Sequence, residues 1–375
     1  MKKQHEFYMK KVIELAKNGW GMTNPNPLVG CVIVKDDEII AQGYHQKIGG
    51  NHAEVNAIND LIEKKLDARG ATLYVNLEPC SHYGKTPPCA NALLKLGLKR
   101  VVIGMKDPNP LVCGRGIKIL EDAGIEVITG ILEDECISLN EIFINHITTK
   151  KPFVILKSAM TLDGKICTHN SDSKWITCQK SREIVHKVRD RVSAVMVGIN
   201  TVLTDNPMLN VRMVEQHGKE SIKIIVDSTG KLPLECNLIK NIKNKDEVIL
   251  ATTSKLSVEK QEEYTKKGVL VIKAEDKNGR VDLKILMDKL HDLNIDSVLL
   301  EGGGTLNESA LKSGIVDKVM FFISPKIVGG MDAKTPVEGI GASFVKDAIN
   351  VNNIIVKMIE EDILIEGLIK KEGVK

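Results

Sequence analysis

Two stretches decide the fold of the first half of this chain: HAEVNAI at residues 52–58 and LEPCSHYGKTPPC at residues 77–89. The first opens a run of apolar residues at helical spacing, which predicts a helix over 53–65. The second follows a β-rich run that predicts a strand over 71–77, and it leads into a predicted helix over 90–96. One histidine and two cysteines therefore stand where these helices begin and just after this strand ends.

These three side chains form a zinc-ligand pattern. His52, Cys80 and Cys89 offer one nitrogen and two sulfurs, and a catalytic zinc site uses three protein ligands with a fourth position open to water. Glu54, two residues after the histidine, is placed to move protons. The arrangement is typical of zinc deaminases, which replace a ring amino group by a carbonyl and release ammonia. The alternative is a surface or core histidine with two buried thiols.

The segment between the two cysteines is longer than the Cys-x-x-Cys spacing of that signature. Residues 81–88 are polar, basic and rich in turn-forming residues. We expect a substrate-binding loop in which His82 and Lys85 contact an anionic group such as a phosphate. The alternative is a solvated surface loop that binds nothing.

Helical patterns alternate with short apolar runs through the first half, which predicts an α/β layered sheet. This half closes with one predicted helix over 133–149, and the Lys-Lys-Pro run at 150–152 ends it. A new series of strands then begins. We therefore predict two domains, residues 1–147 and residues 151–375.

The clearest feature of the second half is SVLLEGGGTLNES at residues 297–309, where a predicted strand runs through three glycines into a helix. Bare backbone N–H groups at a helix N-terminus form an anion site suited to a cofactor phosphate. The run is not GxGxxG, so an ordinary tight turn fits it equally well. Little helical pattern separates the last apolar runs at 318–323, 354–358 and 362–368, so we expect antiparallel edge strands there.

Composition narrows the class of protein. With 375 residues, 43% of them hydrophobic, the chain is too long for a single small module. A net charge of only +3 and 3% aromatic residues argue against a nucleic-acid or membrane-surface partner and favour a small-molecule substrate. No run approaches the ~20 apolar residues that cross a bilayer, and the N-terminus has no signal-peptide pattern. We therefore expect a cytoplasmic protein whose eight cysteines are thiols or metal ligands.

Several motifs carry a family resemblance. In the first half they are TNPNPLVG at 23–30, the two stretches quoted above, and DPNPLVCGRG at 107–116. In the second half they are LKSAMTLDGK, DSKWIT, VGINTVLTDNP and EGGGTLNESAL. The chain resembles the bifunctional deaminase/reductase family of riboflavin biosynthesis. The resemblance implies an α/β protein with an N-terminal cytidine-deaminase-like three-layer domain and a C-terminal dihydrofolate-reductase-like domain.

The resemblance also implies the reactions. The first domain would deaminate 2,5-diamino-6-(5-phosphoribosylamino)pyrimidin-4(3H)-one at one Zn²⁺, and the second would reduce the ribosyl group to a ribityl chain with NADPH. In the first domain it implies these site residues: zinc ligands His52, Cys80 and Cys89, proton shuttle Glu54, and substrate contacts Asn26, His45, His82 and Lys85. In the second it implies these NADPH contacts: Ala159, Trp175, Thr201, Asp205, Ser228, Gly303, Gly304, Thr305, Leu306, Asn307, Glu308 and Ser309. Its substrate contacts there would be Lys157, Ser173, Arg189, Leu209, Arg212 and Glu301.

The residue types suggest roles at the second site. Arg189 and Arg212 would clamp a phosphate through their planar donor forks. Lys157, Asp205 and Glu301 would polarise or protonate the sugar as hydride reaches C1′. We also expect a homo-oligomer, with the edge strands as its interface.

Two other hypotheses fit parts of the sequence. A nucleobase or tRNA deaminase with a C-terminal binding module would share the zinc pattern, but the low charge, the few aromatic residues and the long cysteine spacing oppose it. A structural zinc domain joined to a nucleotide-sensing module would need a fourth protein ligand, and no further Cys or His has suitable spacing.

Overall fold

The computed structural model describes residues 2–81, 88–109, 113–215, 218 and 220–370. The chain divides into two compact units, Met1–Lys150 (unit 1) and Lys151–Lys375 (unit 2). Each unit has its own sheet and its own core.

Unit 1 is built on a five-stranded sheet. Its strands are β1 (Gly30–Lys35), β2 (Glu38–Tyr44), β3 (Thr72–Leu77), β4 (Arg100–Met105) and β5 (Glu126–Thr129). Its helices are α1 (Lys2–Ala16), α2 (Ala53–Glu63), α3 (Cys89–Leu94), α4 (Arg115–Asp122), α5 (Glu133–Leu139) and α6 (Glu141–Thr149). The strand order is β2-β1-β3-β4-β5, antiparallel at β1 and parallel from β3 to β5.

Alternate residues of the central strands face opposite sides of this sheet, as the two-residue period of a strand requires. Ile33 and Leu73 belong to the core that includes α2 and α4, whereas Val32 and Tyr74 belong to the core that includes α1 and α5. Because helices cover both faces, unit 1 has three layers, which confirms the predicted deaminase-like architecture.

The predicted helix over 133–149 is two helices, α5 and α6, which meet at Asn140. The buried Asn140 side chain accepts a hydrogen bond from the Leu28 N–H (2.8 Å) and donates one to the Leu28 carbonyl (3.0 Å). This tertiary contact fixes Asn140 outside helical geometry, with φ −106° and ψ 19°. Helical periodicity carries no signal for such a break.

Unit 2 is built on a nine-stranded sheet. Its strands are β6 (Phe153–Thr161), β7 (Ala194–Gly198), β8 (Ile222–Val226), β9 (Val248–Thr252), β10 (Val269–Lys273), β11 (Ser297–Leu300), β12 (Lys318–Ser324), β13 (Val351–Ile359) and β14 (Asp362–Ile369). Its helices are α7 (Gln179–Arg191), α8 (Ile199–Asp205), α9 (Asn237–Lys240), α10 (Val258–Lys266), α11 (Leu283–Asp292) and α12 (Gly304–Lys312). The strand order is β10-β9-β8-β7-β11-β6-β12-β14-β13.

The antiparallel edge strands expected at 318–323, 354–358 and 362–368 are present, but the first of them is antiparallel on one side only. β14 pairs antiparallel with both β12 and β13. β12, however, also pairs parallel with β6, so it joins the parallel part of the sheet to the hairpin at its edge. Within the part of the chain that the structure describes, no helix is long and apolar enough to cross a membrane.

Candidate active sites

In unit 1, three elements bring the predicted zinc ligands together. His52 is the N-cap of α2, Cys80 follows β3, and Cys89 is the first residue of α3. The His52 Nδ1 atom lies 3.6 Å from the Cys80 sulfur and 3.3 Å from the Cys89 sulfur. The three ligand atoms lie within 4.8 Å of one another. One nitrogen and two sulfurs at this spacing suit a tetrahedral Zn²⁺ with one open position.

Local packing fixes these positions. Gly43 on β2 lies so close to α2 that a Cβ there would stand 2.6 Å from the Ala53 carbonyl oxygen, so only glycine lets the helix lie against the sheet. At the start of α3, the backbone N–H of Cys89 donates to the Cys80 sulfur at 3.3 Å. Hydrogen bonding from the Cys89 thiol lowers the pKa of the Cys80 thiol, which favours the thiolate that binds metal.

Glu54 lies in the first turn of α2 and is 3% exposed. Burial raises the pKa of its carboxyl to about 7. A group with this pKa both accepts and donates protons near neutral pH, which is the behaviour required of a general acid and base.

His45 and Asn26 lie beside the ligand cluster. The His45 ring is buried, and its centroid is 5.7 Å from that of His52. Its Nδ1 contacts the Asn51 carbonyl at 2.9 Å, so Nδ1 carries the proton and Nε2 accepts a hydrogen bond from the Asn26 amide at 3.1 Å. Burial lowers the pKa of His45 and favours this neutral form. The Asn26 amide is therefore held in one orientation next to the site.

Two buried asparagines that sequence analysis did not single out hold the TNPNPLVG loop in place. Asn76 on β3 donates to the Leu28 carbonyl at 2.9 Å and accepts from the Gly30 N–H at 2.8 Å. Asn140 also binds Leu28, by the two hydrogen bonds to its backbone N–H and carbonyl described above. The sequence did carry a signal for Asn76, because it is a polar residue inside an otherwise apolar strand. A fully buried amide there needs hydrogen-bond partners, which predicts a structural role.

Glu78 is a further residue that sequence analysis missed. Its carboxylate is 3% exposed and accepts hydrogen bonds from four backbone N–H groups. The donors and distances are Asp107 (3.2 Å), Gly114 (3.0 Å), Gly116 (3.0 Å) and Ile117 (3.3 Å). Because Glu78 lies two residues before Cys80, a predicted zinc ligand, these bonds tie that segment to the start of α4. His82 and Lys85, the two predicted loop contacts, lie outside the described residues.

In unit 2, a cleft of about 560 Å³ opens among β6, α7, α8 and the turn after β11. Ten of the predicted contacts line it: Lys157, Ala159, Ser173, Trp175, Arg189, Thr201, Asp205, Arg212, Glu301 and Gly303. The other predicted contacts do not line it: Ser228, Leu209, Gly304, Thr305, Leu306, Asn307, Glu308 and Ser309. The lining residues come from separate stretches of sequence that only the fold brings together.

Glu301 is the centre of a buried charge network in this cleft. Arg189 donates to it through Nε (2.6 Å) and Nη2 (3.0 Å), and the Lys157 ammonium lies 3.4 Å from its Oε2. Burial opposes ionisation of this carboxyl, but the favourable interaction with the charges of Arg189 and Lys157 is larger, and the net effect lowers its pKa to about 2. Glu301 is therefore an anion at neutral pH and has no proton to donate.

This network changes the role expected for Arg189. The Nε–Nη2 edge that would clamp a phosphate is occupied by Glu301, and Nη1 donates to the Asn210 carbonyl at 3.2 Å. Only the remaining N–H groups of Nη1 and Nη2 are left for a ligand. Arg212 is exposed and donates through Nη1 to the Asn210 side chain at 3.0 Å, which leaves its other donors for an anion.

The three-glycine segment forms the strand–turn–helix that the sequence predicts. Gly303 is the N-cap of α12, and Gly304 is its first residue. A Cβ at Gly304 would lie 2.6 Å from the Thr335 carbonyl oxygen, so packing within the protein requires this glycine. A Cβ at Gly303 would meet none of the described residues within 4 Å, and this residue borders the cleft. The N-terminus of α12 thus has room for a ligand group beside its backbone.

Two cleft residues were not anticipated from the sequence. The Arg182 guanidinium stacks over the Trp175 ring, 4.4 Å from its centroid. His186 lies on the inner side of α7 and is 4% exposed. Both belong to the helical run that follows DSKWIT, where spacing indicated a helix but not which side chains face the cleft.

Comparisons with known proteins match a family model to each unit. A family model of the cytidine and deoxycytidylate deaminase zinc-binding region matches residues 2–105. A model of the RibD C-terminal domain matches residues 152–364.

Full-length relatives are also found. The riboflavin biosynthesis protein RibD of Actinobacillus pleuropneumoniae is 50% identical, over 96% of this chain and 94% of the relative. A solved RibD structure from Acinetobacter baumannii has a TM-score of 0.86 at 37% identity and covers 99% of this chain and 100% of its own. A solved structure of a diaminohydroxyphosphoribosylaminopyrimidine deaminase/5-amino-6-(5-phosphoribosylamino)uracil reductase from Thermotoga maritima has a TM-score of 0.87 at 41% identity, over 98% and 99% of the two chains.

The folds, the sites and these matches define an enzyme with a zinc deaminase part and a reductase part. The chain belongs to the RibD family of riboflavin biosynthesis proteins. It is a bifunctional deaminase and reductase that acts on a small molecule and uses Zn²⁺ and NADPH. This confirms the family resemblance, the fold class and the cofactors inferred from the sequence.

Proposed function

We propose that unit 1 deaminates 2,5-diamino-6-(5-phosphoribosylamino)pyrimidin-4(3H)-one and that unit 2 reduces the product to 5-amino-6-(5-phosphoribitylamino)uracil. The domains would be residues 1–147 and 151–375. The observation that carries the first half is the convergence of His52, Cys80 and Cys89 beside the buried Glu54. The likeness to the Thermotoga maritima deaminase/reductase, whose name covers both activities, supports the choice of substrate.

In the deaminase site His52, Cys80 and Cys89 would hold the metal. Bound Zn²⁺ supplies Lewis-acid activation of water for attack on the amino-bearing ring carbon. Glu54 takes a proton from the attacking water and delivers it to the departing amino group, so that the C–N bond breaks and ammonia leaves. Asn26, held by His45, offers its amide oxygen to the pyrimidine. His82 and Lys85 remain predicted contacts of the substrate phosphate.

A Glu54→Gln variant tests this assignment. We expect it to bind one Zn²⁺ per chain, as the wild type does, and to release ammonia at least about a hundredfold more slowly, because the amide cannot relay protons. Glu63→Gln at the exposed end of the same helix is the matched control and should keep full activity. Wild-type rates in the Glu54 variant would remove this residue from the mechanism.

In the reductase cleft the reaction adds a hydride to C1′ of the ribose and a proton to its ring oxygen, and the C1′–O4′ bond opens. NADPH supplies the hydride. Because Glu301 is ionised, we assign the proton to the Lys157 ammonium, which Glu301 orients. Arg212, Ser173 and the free N–H groups of Arg189 would bind the phosphate. Thr201 and Asp205 on α8, together with Trp175, line the cleft and are proposed to contact NADPH.

Mass spectrometry of the diaminopyrimidine phosphate after incubation with zinc-loaded enzyme tests both steps. Without NADPH we expect only the amino-to-oxo mass change. With NADPH the product should gain two further hydrogens. Folded, zinc-loaded enzyme that leaves the substrate unchanged would refute the proposal, as would reduction that precedes deamination.

We also propose that the enzyme works in the cytoplasm as a homo-oligomer whose copies meet at β13. This strand is the edge of the nine-stranded sheet and carries four apolar side chains that are 52–65% exposed: Ile354, Ile355, Val356 and Met358. An apolar edge of this kind is a typical protein interface. Light scattering should give a multiple of the 41.3 kDa chain mass, and Val356→Lys should shift it toward one chain. A monomeric wild type would refute the proposal.

A further inference from the structure

The stretch of chain before α7 forms part of the wall of the reductase cleft. Four of its residues line the cleft, and none of them belongs to a helix or a strand: Ser173, Trp175, Ile176 and Thr177. The Trp175 side chain is 59% exposed, so burial in the core does not fix its ring. The position of this ring, which is proposed above to contact NADPH, therefore depends on what holds the loop that carries it.

Lys326, which is distant in sequence, holds this loop. Its ammonium donates hydrogen bonds to the backbone carbonyls of Trp175 and Ile176, both at 2.7 Å. Hydrogen bonds from an ammonium are charge-assisted and stronger than those between neutral groups. The structure gives the backbones of Trp175 and Ile176 no other hydrogen bond to a described residue. One side chain therefore fixes two successive peptide groups of the loop.

Lys326 is itself fastened to the nine-stranded sheet. It lies two residues beyond the end of β12, and its carbonyl accepts a hydrogen bond from the Leu162 N–H at 2.8 Å. The Asp163 carboxylate accepts two more, from the N–H groups of Val328 (3.2 Å) and Gly329 (2.7 Å). These three bonds join residues 326–329 to the turn that follows β6. The Lys326 ammonium therefore ties the position of the loop to that of the sheet.

Arg182 on α7 contacts the same loop at other points. Its Nη1 donates to the Thr177 carbonyl at 2.6 Å, and its guanidinium covers the Trp175 ring. Arg182 thus contacts the ring and the end of the loop, whereas Lys326 fixes the backbone from which the ring projects. Without Lys326 the ring would keep its stacking partner but lose the anchor of its own peptide group.

We propose that Lys326 is a positioning residue of the reductase site, which fixes the carbonyls of Trp175 and Ile176 and so holds the Trp175 ring where NADPH meets it. The inference rests on the proposed contact between Trp175 and NADPH. It assigns Lys326 no contact of its own with the cofactor or the substrate. The effect of Lys326 is accordingly expected on affinity for NADPH and not on affinity for the phosphorylated substrate.

Steady-state reduction of 5-amino-6-(5-phosphoribosylamino)uracil by the full-length enzyme tests this proposal. Lys326→Met keeps the apolar part of the side chain and removes its donors, so we expect the KM for NADPH to rise about fivefold with kcat within about twofold of wild type. Lys326→Arg keeps charged N–H donors and should bring this KM back to within about twofold. The KM for the phosphorylated substrate should not change in either variant.

Lys289→Met is the matched control. Lys289 is an exposed lysine of α11 that also donates to a backbone carbonyl, that of Lys273 at 2.8 Å, but it does not line the cleft. Its replacement should leave the KM for NADPH at the wild-type value. An equal rise in the Lys326 and Lys289 variants would overturn the positioning role.

Trp175→Ala separates failure of this inference from failure of the proposed site. If Trp175→Ala raises the KM for NADPH and Lys326→Met does not, or if the Met and Arg variants of Lys326 lose affinity equally, the positioning role is overturned. If Trp175→Ala leaves this KM unchanged, the proposed contact between Trp175 and NADPH is wrong, and the inference fails with it.

A spectroscopic measurement tests the anchoring of the ring without catalysis. The chain has two tryptophans, so Trp20→Phe leaves Trp175 as the only one. In this background and without cofactor, acrylamide should quench Trp175 fluorescence more strongly in Lys326→Met than in the parent enzyme, whereas Lys289→Met should match the parent. Equal quenching with and without the Lys326 ammonium would overturn the claim that its two hydrogen bonds hold the ring.

Discussion

Replacing Glu301 with glutamine tests the charge network of the reductase cleft. The side chains of Arg189 and Glu301 are 11% and 10% exposed, and Lys157 is 17% exposed, so water screens these charges little. Glutamine keeps the shape of the side chain and one oxygen acceptor, but it leaves two cations facing each other without their anion. Removing one partner of a buried ion pair typically costs about 3–5 kcal/mol.

The pKa of Glu301 gives a second route to the magnitude. Its fall from 4.5 to about 2 corresponds to roughly 3 kcal/mol at 1.36 kcal/mol per unit. A lowered carboxyl pKa stabilises the folded state fully above the unfolded value of 4.5, and this contribution is lost as pH falls toward 2. We therefore expect Glu301→Gln to lower the free energy of unfolding of unit 2 by about 2–3 kcal/mol at pH 7, allowing for the acceptor that is kept.

The two tryptophans make the assay specific, because Trp20 is in unit 1 and Trp175 is in unit 2. In a Trp20→Phe background, Trp175 fluorescence during urea unfolding reports on unit 2 alone. Glu262→Gln is the matched control, since Glu262 forms an exposed pair with Lys266 at 4.0 Å and should change stability by less than about 0.5 kcal/mol. A loss below about 1 kcal/mol for Glu301→Gln, or an equal loss in the control, would refute this account of the network.

Three further predictions concern buried polar groups. Glu78→Gln should weaken Zn²⁺ binding about tenfold in chelator competition, because four N–H groups lose their anionic acceptor, whereas Glu63→Gln should not; equal affinities would contradict this. Burial lowers the pKa of His186 from 6.5 to about 4. Between pH 6.5 and pH 4 this histidine is therefore protonated in the unfolded chain but neutral in the folded unit. Stability in urea should thus fall as pH drops from 6.5 to 4, by on the order of 2 kcal/mol, and His186→Gln should flatten this slope; an unchanged slope would contradict it. Asn140→Ala removes both hydrogen bonds to Leu28, so thermal unfolding should show a loss of about 2–3 kcal/mol, and an unchanged midpoint would contradict the contact.

The sequence was sufficient for features whose signal is local. The three candidate zinc ligands were predicted from residue type and spacing, because each stands where a predicted helix begins or just after a strand ends, and the structure brings their ligand atoms within 4.8 Å of one another. The layered fold of unit 1 followed from strands that alternate with helices. Glu78 and Asn140 were missed because their roles lie in contacts with segments 29 or more residues away. No periodicity records which N–H groups a buried carboxylate will meet.

The reductase cleft shows a second limit of sequence reasoning. Residue type indicated that Arg189 and Arg212 both bind a phosphate, yet the fold gives them different environments. Arg189 is buried and holds Glu301 with its fork, so its remaining donors are fixed before any ligand arrives. Arg212 is exposed and held by one hydrogen bond to a neighbouring side chain, so it is free to adjust. Pre-organisation lowers the entropy cost of binding at the first arginine. The position of Arg212, by contrast, depends on the segment of chain that carries it. Residues that hold this segment in place should therefore affect affinity for the phosphate without contacting it.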